Sequence, residues 1–524
     1  MAKTHIASEE TLQRIAVACE RSADAAAQSA GMYRYPVWDD VAGEYTNESI
    51  KGWLDWNSDG KLYGVDQPLD AVQTCTKVLA NAGIPNPVPS TFAAVGSDPY
   101  WQLGPFRWIY VNGYFDDDGV PHVTGMEPFG HFSWDRDVWA LTPVRYVSQT
   151  EVGGCIRLVN SDRPAAGLSP EERSTLKSGE LSPYMMRAAF IMSLKDGIPM
   201  TVPYAKTALF SVSHNSLITS CKLKGAAYSG LTAADDAYLY DMYLLKYANK
   251  SSQTVFAGCT SHTEQTFVTV AGEGVSTVTV AASAATNWPI GSCIEIGTAT
   301  SVSDRNNANS RDIASQVNIL AKAVDGDNIV LTLDCDPINT PVGCQVSTMP
   351  WNPGACIGIQ YDGSPTNCKS GREPFVLQGI ETGMGCYEIL GDEVAKGTGT
   401  EWELWLASTT DKCSTSAPTA DYVRIHSLGS TGGEGWKYPK AQKKSHGAYV
   451  PTEFGASTST GTGDGIYMQS ETTTGSRCFR ARGDLRYVGD AGLRYAYLND
   501  ELSWTWWSVG SRVSGNGLNG VSAA

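Results

Sequence analysis

The 524-residue chain is short of charge, and of basic charge most of all. Only 18% of its residues are charged, with 39 Lys and Arg against 55 Asp and Glu, giving a net charge of −16. A chain built to coat nucleic acid or an anionic membrane surface would be basic, so both are excluded as general partners. No run reaches the roughly 18 apolar residues that a membrane-spanning helix needs. Met1-Ala2-Lys3-Thr4-His5 opens into a polar segment with no apolar run of signal-peptide type, so the expectation is a chain made and folded in a cytoplasm. The 13 cysteines are odd in number and contain no C-x-x-C pair; neither a zinc site nor a disulfide framework is expected, and most read as buried thiols. The seven histidines (5, 122, 131, 214, 262, 426 and 446) show no H-x-x-x-H pairing, and there is no P-loop and no G-x-S-x-G. Gly515-Asn516-Gly517-Leu518-Asn519-Gly520 has G-x-G-x-x-G spacing but is followed by only four residues, so no helix is expected there to receive a pyrophosphate.

What is abundant is hydrophobic residues at 42%, glycine at 53 and tryptophan at 15, the signature of a folded chain with many turns and aromatic-rich surfaces or cores. At roughly 100–200 residues per domain, the length predicts about three domains. Residues 8–28 read as a helix: Ser8 caps it, and Leu12, Ile15, Ala16 and Cys19 form an apolar stripe that packs on a neighbouring subunit or on its own domain. Residues 31–160 read as β-rich, with Phe106-Arg107-Trp108-Ile109-Tyr110-Val111 alternating like a strand and Asp116-Asp117-Asp118-Gly119 turning a hairpin. Ser169-Pro170-Glu171-Glu172 has the form of a helix start, as does Thr232 with Asp235 and Asp236 ahead of Tyr238, Met242 and Leu245. Between 262 and 350, runs such as Phe267–Val270 and Ile329–Leu333, with Asp325-Gly326 as a turn, predict a small all-β insert.

Two constellations carry chemistry. Asp55-Trp56-Asn57-Ser58-Asp59-Gly60 places oxygens at positions 1, 3 and 5 of a calcium-type loop, Gly at 6, and Asp66 at 12. Asp55, Asn57, Asp59 and Asp66 are thus a candidate set for Ca2+, the one cofactor the sequence raises; an ordinary turn is the competing reading, since position 12 is Asp and the flanks hold Gly and Pro. The second constellation is 486–508, with six aromatics in 23 positions and Arg486, Arg494, Asp490, Asn499 and Asp500 interleaved. Tyr and Trp give large rigid contact area at low entropic cost, and small residues (Gly483, Gly489, Ala491, Gly492, Gly510) alternate with them as scaffold. That is the pattern of a ligand-binding face; a Trp-rich core strand is the alternative. Trp134-Asp135-Arg136-Asp137 sets acids beside an aromatic, as carbohydrate cleavage would, and an ordinary turn gives the same pattern.

The run Gly483-Asp484-Leu485, Gly489-Asp490-Ala491-Gly492-Leu493, Leu498-Asn499-Asp500 and Val509-Gly510-Ser511-Arg512-Val513-Ser514 resembles the end of C-type-lectin-fold proteins of the formylglycine-generating-enzyme-like type. More closely, it resembles the variable proteins of diversity-generating retroelements, the phage major tropism determinant type. Gly230-Leu231-Thr232 to Tyr247 is similar to the helix of that fold, and 378–388 to a core strand pair of large gut-phage structural proteins with this ending. The resemblance spans about 185–260 and 365–524. It implies an α+β, β-rich protein with a C-type-lectin-like domain over those two stretches and the all-β insert at 262–350. The N-terminal helix and β-rich region over 1–180 would serve virion attachment or oligomerisation. It further implies an exposed face made of Arg486, Tyr487, Asp490, Arg494, Tyr495, Tyr497, Trp504, Thr505, Trp506 and Trp507, possibly diversified, with Gly489, Gly492, Leu493, Gly510 and Arg512 as scaffold. The implied protein is a phage tail-tip or fibre adhesin on the virion, often a homotrimer, whose partners are a bacterial host-surface receptor (protein or glycan) and other virion proteins. The formylglycine-generating relatives use a cysteine pair near the C-terminus; here Cys478 stands alone in the last hundred residues, so catalysis by that route is not expected. A structural head or tail decoration protein and a particle-borne glycan hydrolase are the other classes.

Overall fold

The structure, a computed structural model, describes residues 33–256, 263–359, 363–366, 373–429, 432–455, 457, 461–487 and 490–516. The helix expected over 8–28, and Gly489, lie outside the described residues. Two sheets form from the first two hundred residues. One has six strands in the order Trp38–Asp39, Glu44–Tyr45, Pro121–Met126, Ile109–Phe115, Val138–Thr142, Met185–Ala188. Its central hairpin closes at the expected turn: Asp116 Oδ1 accepts from the backbone N–H groups of Asp118 at 3.0 Å and Val120 at 2.9 Å, and Gly119 supplies a φ of 77°. The strand begins at Ile109, because Gly104–Phe106 is a turn of 3-10 helix with Pro105 inside it. The other sheet has five strands in the order Ser169–Pro170, Tyr146–Val152, Cys155–Ser161, Tyr63–Pro68, Thr76–Leu79. Helix α1 (Asn47–Trp56), capped by the Thr46 side chain, lays Ile50, Trp53 and Leu54 into the core.

The helix expected to start at Ser169 does not form. Ser169 and Pro170 pair with Val147 and Tyr146 as an edge strand, and Glu171 is buried between two guanidinium groups, 2.6 Å from Arg145 and 2.8 Å from Arg187. A buried carboxylate needs such partners, and reaching them overrides the local helix signal.

Helix α2 (His214–Lys224) opens on a capping box made by Ser213 and Ser216. Helix α3 (Ala233–Tyr247) starts where expected, the Thr232 side chain accepting from Asp235 N at 3.1 Å. It is buried all round, with 14 of its 15 residues out of water, as suits a helix at the centre of a protein. Each of its buried charges has a partner on another element. Asp235 meets Arg187 at 3.2 Å, Asp236 meets Arg482 at 2.6 Å and also Arg494, Asp241 meets Arg145 at 3.0 Å, and Lys246 meets Asp98 at 2.5 Å. Helix α3 therefore ties the N-terminal sheets to the C-terminal one. The core does not divide at residue 180: Tyr45, Ile50 and Val111 share one cluster with Tyr387, Ile389, Tyr495 and Val513.

The all-β insert is a closed six-stranded barrel in the order Gln265–Val270, Thr277–Ala281, Asn328–Leu333, Ala314–Asp325, Cys293–Gly297, Gln345–Met349, filled by its own core of Val268, Val280, Trp288, Ile294, Leu331 and their neighbours. Asp325-Gly326 turns the hairpin, with Asp325 opposite Asn328.

The rest is a nine-stranded sheet. Eight strands run in the order Tyr422–Gly429, Trp402–Ala407, Tyr387–Thr398, Thr474–Arg482, Gly492–Leu498, Ile466–Met468, Gly435–Ser445, Ala448–Gly455, and Val509–Gly510 pairs in parallel with Tyr387–Glu388. Phe375–Leu377 and Ile380–Thr382 form a strand pair joined by Gln378 and Gly379, so the pair expected over 378–388 lies earlier in the chain: Gln378 is in its turn, and Tyr387 and Glu388 begin a strand of the large sheet instead. The fold is α+β and β-rich. Of the ten described cysteines all are free and eight are buried. Among the described residues, no helix is long and apolar enough to cross a membrane.

Candidate functional site

The C-terminal sheet places aromatic side chains in one row. Trp436 lies opposite Tyr467, Tyr467 opposite Tyr497, and Tyr497 opposite Arg480, across four adjacent strands. Residues in register on neighbouring strands share a face, so these four side chains stand shoulder to shoulder. Their rings touch: Trp436 and Tyr467 are 5.2 Å apart edge-to-face, and Tyr467 and Tyr497 stack at 4.7 Å. The buried Arg480 guanidinium lies 4.6 Å from the Tyr387 and Tyr497 rings and 4.5 Å from Trp504. Trp504 in turn stacks on Trp506 at 5.3 Å. Arg480 also pairs with Asp500. A guanidinium removed from water and held within 5 Å of three ring centres is the strong form of the cation–π contact. Here it fixes the row to the 502–508 loop.

The ten residues expected on the face divide. Arg486 and Thr505 are exposed, and Tyr487, Asp490, Tyr497, Trp504 and Trp506 are half-buried. Arg494, Tyr495 and Trp507 are not on the face at all, with relative exposures of 5%, 1% and 3%. The expectation of exposure fails for these three for a physical reason each. Arg494 is drawn inward by Asp236 and by Gln442 Oε1, which accepts from its Nε at 2.9 Å. Tyr495 packs between Tyr387, 6.0 Å away, and Trp436, 5.4 Å away, and burial raises its hydroxyl pKa well above the ordinary range. Trp507 joins the cluster under the barrel, where Arg305 sits 4.4 Å over its ring.

The remaining polar groups are braced. Arg486 Nη2 donates to the buried Asp484 at 2.6 Å; burial opposes its charge, but the hydrogen bond and charge of Asp484 outweigh that and raise its pKa. Ser508 Oγ donates to the same carboxylate at 2.6 Å. Asp490 Oδ1 accepts from the Tyr438 hydroxyl at 2.8 Å. A side chain on Gly483, which has a φ of 85°, would come within 2.8 Å of the Ala491 methyl. Arg512 donates to Glu388 from Nε at 2.5 Å and to the Ala188 carbonyl at 3.3 Å, tying the chain's end to the first sheet. Burial alone would raise the Glu388 pKa, but Arg512 and Arg482 hold it below the usual carboxylate range.

Sequence reading missed Trp436, Tyr467 and Arg480. The i, i+2 spacing of Trp436 and Tyr438 was the available signal; that they join 486–508 is decided only by strand order.

The calcium-type loop is not assembled. Asp55 lies in the last turn of α1, 2.8 Å from both Lys51 and Arg163. Asn57 caps that helix, donating to Trp53 O at 2.8 Å. Asp59 accepts from the Tyr63 hydroxyl, and Asp66 sits in a strand with Arg157 bridging both its oxygens at 2.7 and 2.8 Å. The helix runs through position 1 and the strand takes position 12, so the four oxygens face separate donors. Among the described residues no three His, Cys, Asp or Glu gather as a metal site. Trp134-Asp135-Arg136-Asp137 is a turn whose Asp137 is engaged by Lys224 at 2.5 Å. Cys478 is buried, its thiol donating to Asp500 O at 3.4 Å.

Compared with models of known protein families and with curated proteins, the chain matches none.

Proposed function

We propose that this chain is a receptor-binding adhesin of a phage particle, of the C-type-lectin-like variable-protein type, and that it acts by binding rather than by catalysis. The observation that carries the reading is the ladder Trp436, Tyr467, Tyr497, Trp504, Trp506, half-open to solvent over the buried Arg480 and flanked by the exposed Arg486 and Thr505. Large aromatic rings beside arginine are what binding hot spots are made of. The resemblance of the 483–514 run to the variable proteins supports the same reading and supplies its biological setting: a host-surface receptor as ligand, the virion as location, and a homotrimer whose copies add avidity. The loop at 502–508 is held at both ends, by Asn215 N donating to Leu502 O at 3.0 Å and Tyr387 N donating to Ser508 O at 2.8 Å, and turns within it through Trp504 N to Glu501 O and Val509 N to Trp506 O.

The test is binding of the purified full chain to a panel of bacterial strains, with two variants. Trp504→Ala with Trp506→Ala removes two rings at roughly 2 kcal/mol each if they are hot spots, so binding falls more than tenfold. Because Trp504 also packs on Arg480, the exposed Thr505→Lys serves as a second variant that obstructs the face without touching the core. The reading expects both variants to melt as cooperatively as wild type and to lose binding. Equal binding by wild type and Thr505→Lys would remove the face from consideration.

A further inference from the structure

On the N-terminal half, away from the C-terminal face, a cleft of about 550 Å³ opens between α1, the first sheet and the chain just past the barrel. That volume lies in the range of small-ligand sites. Its walls are aromatic. Trp53 and Phe129 meet edge-to-face at 5.5 Å on one side; Trp108, Tyr110 and Trp134 form a second set, with ring separations of 5.0 and 5.5 Å, and Trp101 adds a third surface. Rings set at near right angles present flat faces and edges together.

The polar groups among them decide what fits. Trp101 Nε1 and Trp108 Nε1 are buried and have no hydrogen-bond partner among the described residues, and Trp108 itself is only 7% exposed. A buried donor left unpaired costs about 1–3 kcal/mol, but both nitrogens are out of reach of the open cleft, which leaves the ring faces as what these two residues offer it. Gln102 also lines the cleft; its carbonyl oxygen is taken by Arg107, which leaves the amide NH2 as a donor. Glu127 is the one carboxylate among the described residues of the walls; desolvation raises its pKa although much of its surface is open. The lining therefore offers the Gln102 amide as a donor, one acceptor group and broad apolar planes. A quaternary ammonium would satisfy the rings and the acid but not the amide. A pyranose has a flat C–H face for the rings, oxygens to accept and hydroxyls to donate.

We infer that this cleft is a saccharide-binding site, with Trp101, Phe129 and Trp134 as stacking surfaces over a floor of the buried Trp53 and Trp108, and with Gln102 and Glu127 as hydroxyl partners. The site stands independently of the C-terminal face and of the receptor reading.

The experiment titrates the full chain with maltohexaose, cellohexaose and tri-N-acetylchitotriose, following tryptophan fluorescence and heat, with tetramethylammonium chloride as the cationic control. At least one sugar is expected to bind, and Trp134→Ala and Glu127→Gln each to weaken it tenfold or more. Val324→Ala, at an exposed position on the barrel that neither site uses, leaves it unchanged. Trp134 is half-buried and Glu127 exposed, so these variants are chosen to fold; a thermal melt checks them. The inference is overturned if none of the three sugars binds, if binding ignores both cleft variants, or if tetramethylammonium is the probe whose binding needs Trp134.

Discussion

Four arginines of the last fifty residues carry the same charge and have four different roles, each set by the acid within reach. Arg480 packs flat among aromatic rings with Asp500 as its counter-ion; Arg486 stays at the surface on Asp484; Arg494 turns into the core to Asp236; Arg512 turns in to Glu388. Sequence spacing treats Arg486-Tyr487 and Arg494-Tyr495 alike, and the structure separates them because the partner of Arg494 lies 258 residues away. A buried acid without such a partner behaves differently. Glu295, on a barrel strand but on the face opposite Ile294 and Ile296 of the barrel core, is fully buried, and both its carboxylate oxygens lack a hydrogen bond among the described residues. Desolvation pushes its pKa up to about 8, with Arg305 and Arg311 only partly opposing. A carboxyl that keeps its proton in the folded state but loses it when unfolded makes stability fall as pH rises between the two values, from about 4.5 to about 8. Glu295→Gln, which mimics the protonated form, is therefore expected to raise the melting temperature at pH 8 and to leave it nearly unchanged at pH 4.5. A variant less stable than wild type at pH 8 would contradict this.

At the scale of elements, what was legible in the sequence is what is local. The turn at Asp116–Gly119, the turn at Asp325-Gly326 and the Thr232 start of α3 each depend on hydrogen bonds or backbone conformations within a few residues, and each forms. The insert's β character was legible from its short runs between turn residues, though not its closure into a barrel, which depends on Gln265–Val270 meeting Gln345–Met349. Ser169-Pro170-Glu171-Glu172 misled for the opposite reason: its helix signal is local, and the Arg145 and Arg187 partners that decide its conformation are not. The calcium-type spacing failed likewise, because spacing alone does not say that a helix ends, or a strand begins, within the loop. Helix α3 allows a direct check of the local part. Thr232→Ala removes the cap and is expected to cost about 1 kcal/mol in denaturant unfolding. A loss near zero would mean that burial of α3 alone sets its start.

For the whole molecule, the acidic balance and low charge content fit a surface held in solution by excess carboxylates, while much of the cationic charge is spent inside, on the buried acids of α3 and the C-terminal sheet. The N-terminal sheets, α3 and the C-terminal sheet share cores, and the barrel adds its own core and reaches back through Arg305 to Trp507. The aromatic ladder thus rests on a foundation drawn from the entire described chain, which is the preorganisation that lets a flat face bind with little entropic cost. The central claim, that the outer end of this ladder is where a host receptor is engaged, is tested most directly by hydroxyl-radical footprinting of the protein free and bound to host cells. The account predicts that oxidation of Trp504 and Trp506 drops several-fold on binding, while Trp402, fully buried in either state, stays protected throughout. Equal oxidation of Trp504 and Trp506 in the free and cell-bound protein would contradict it.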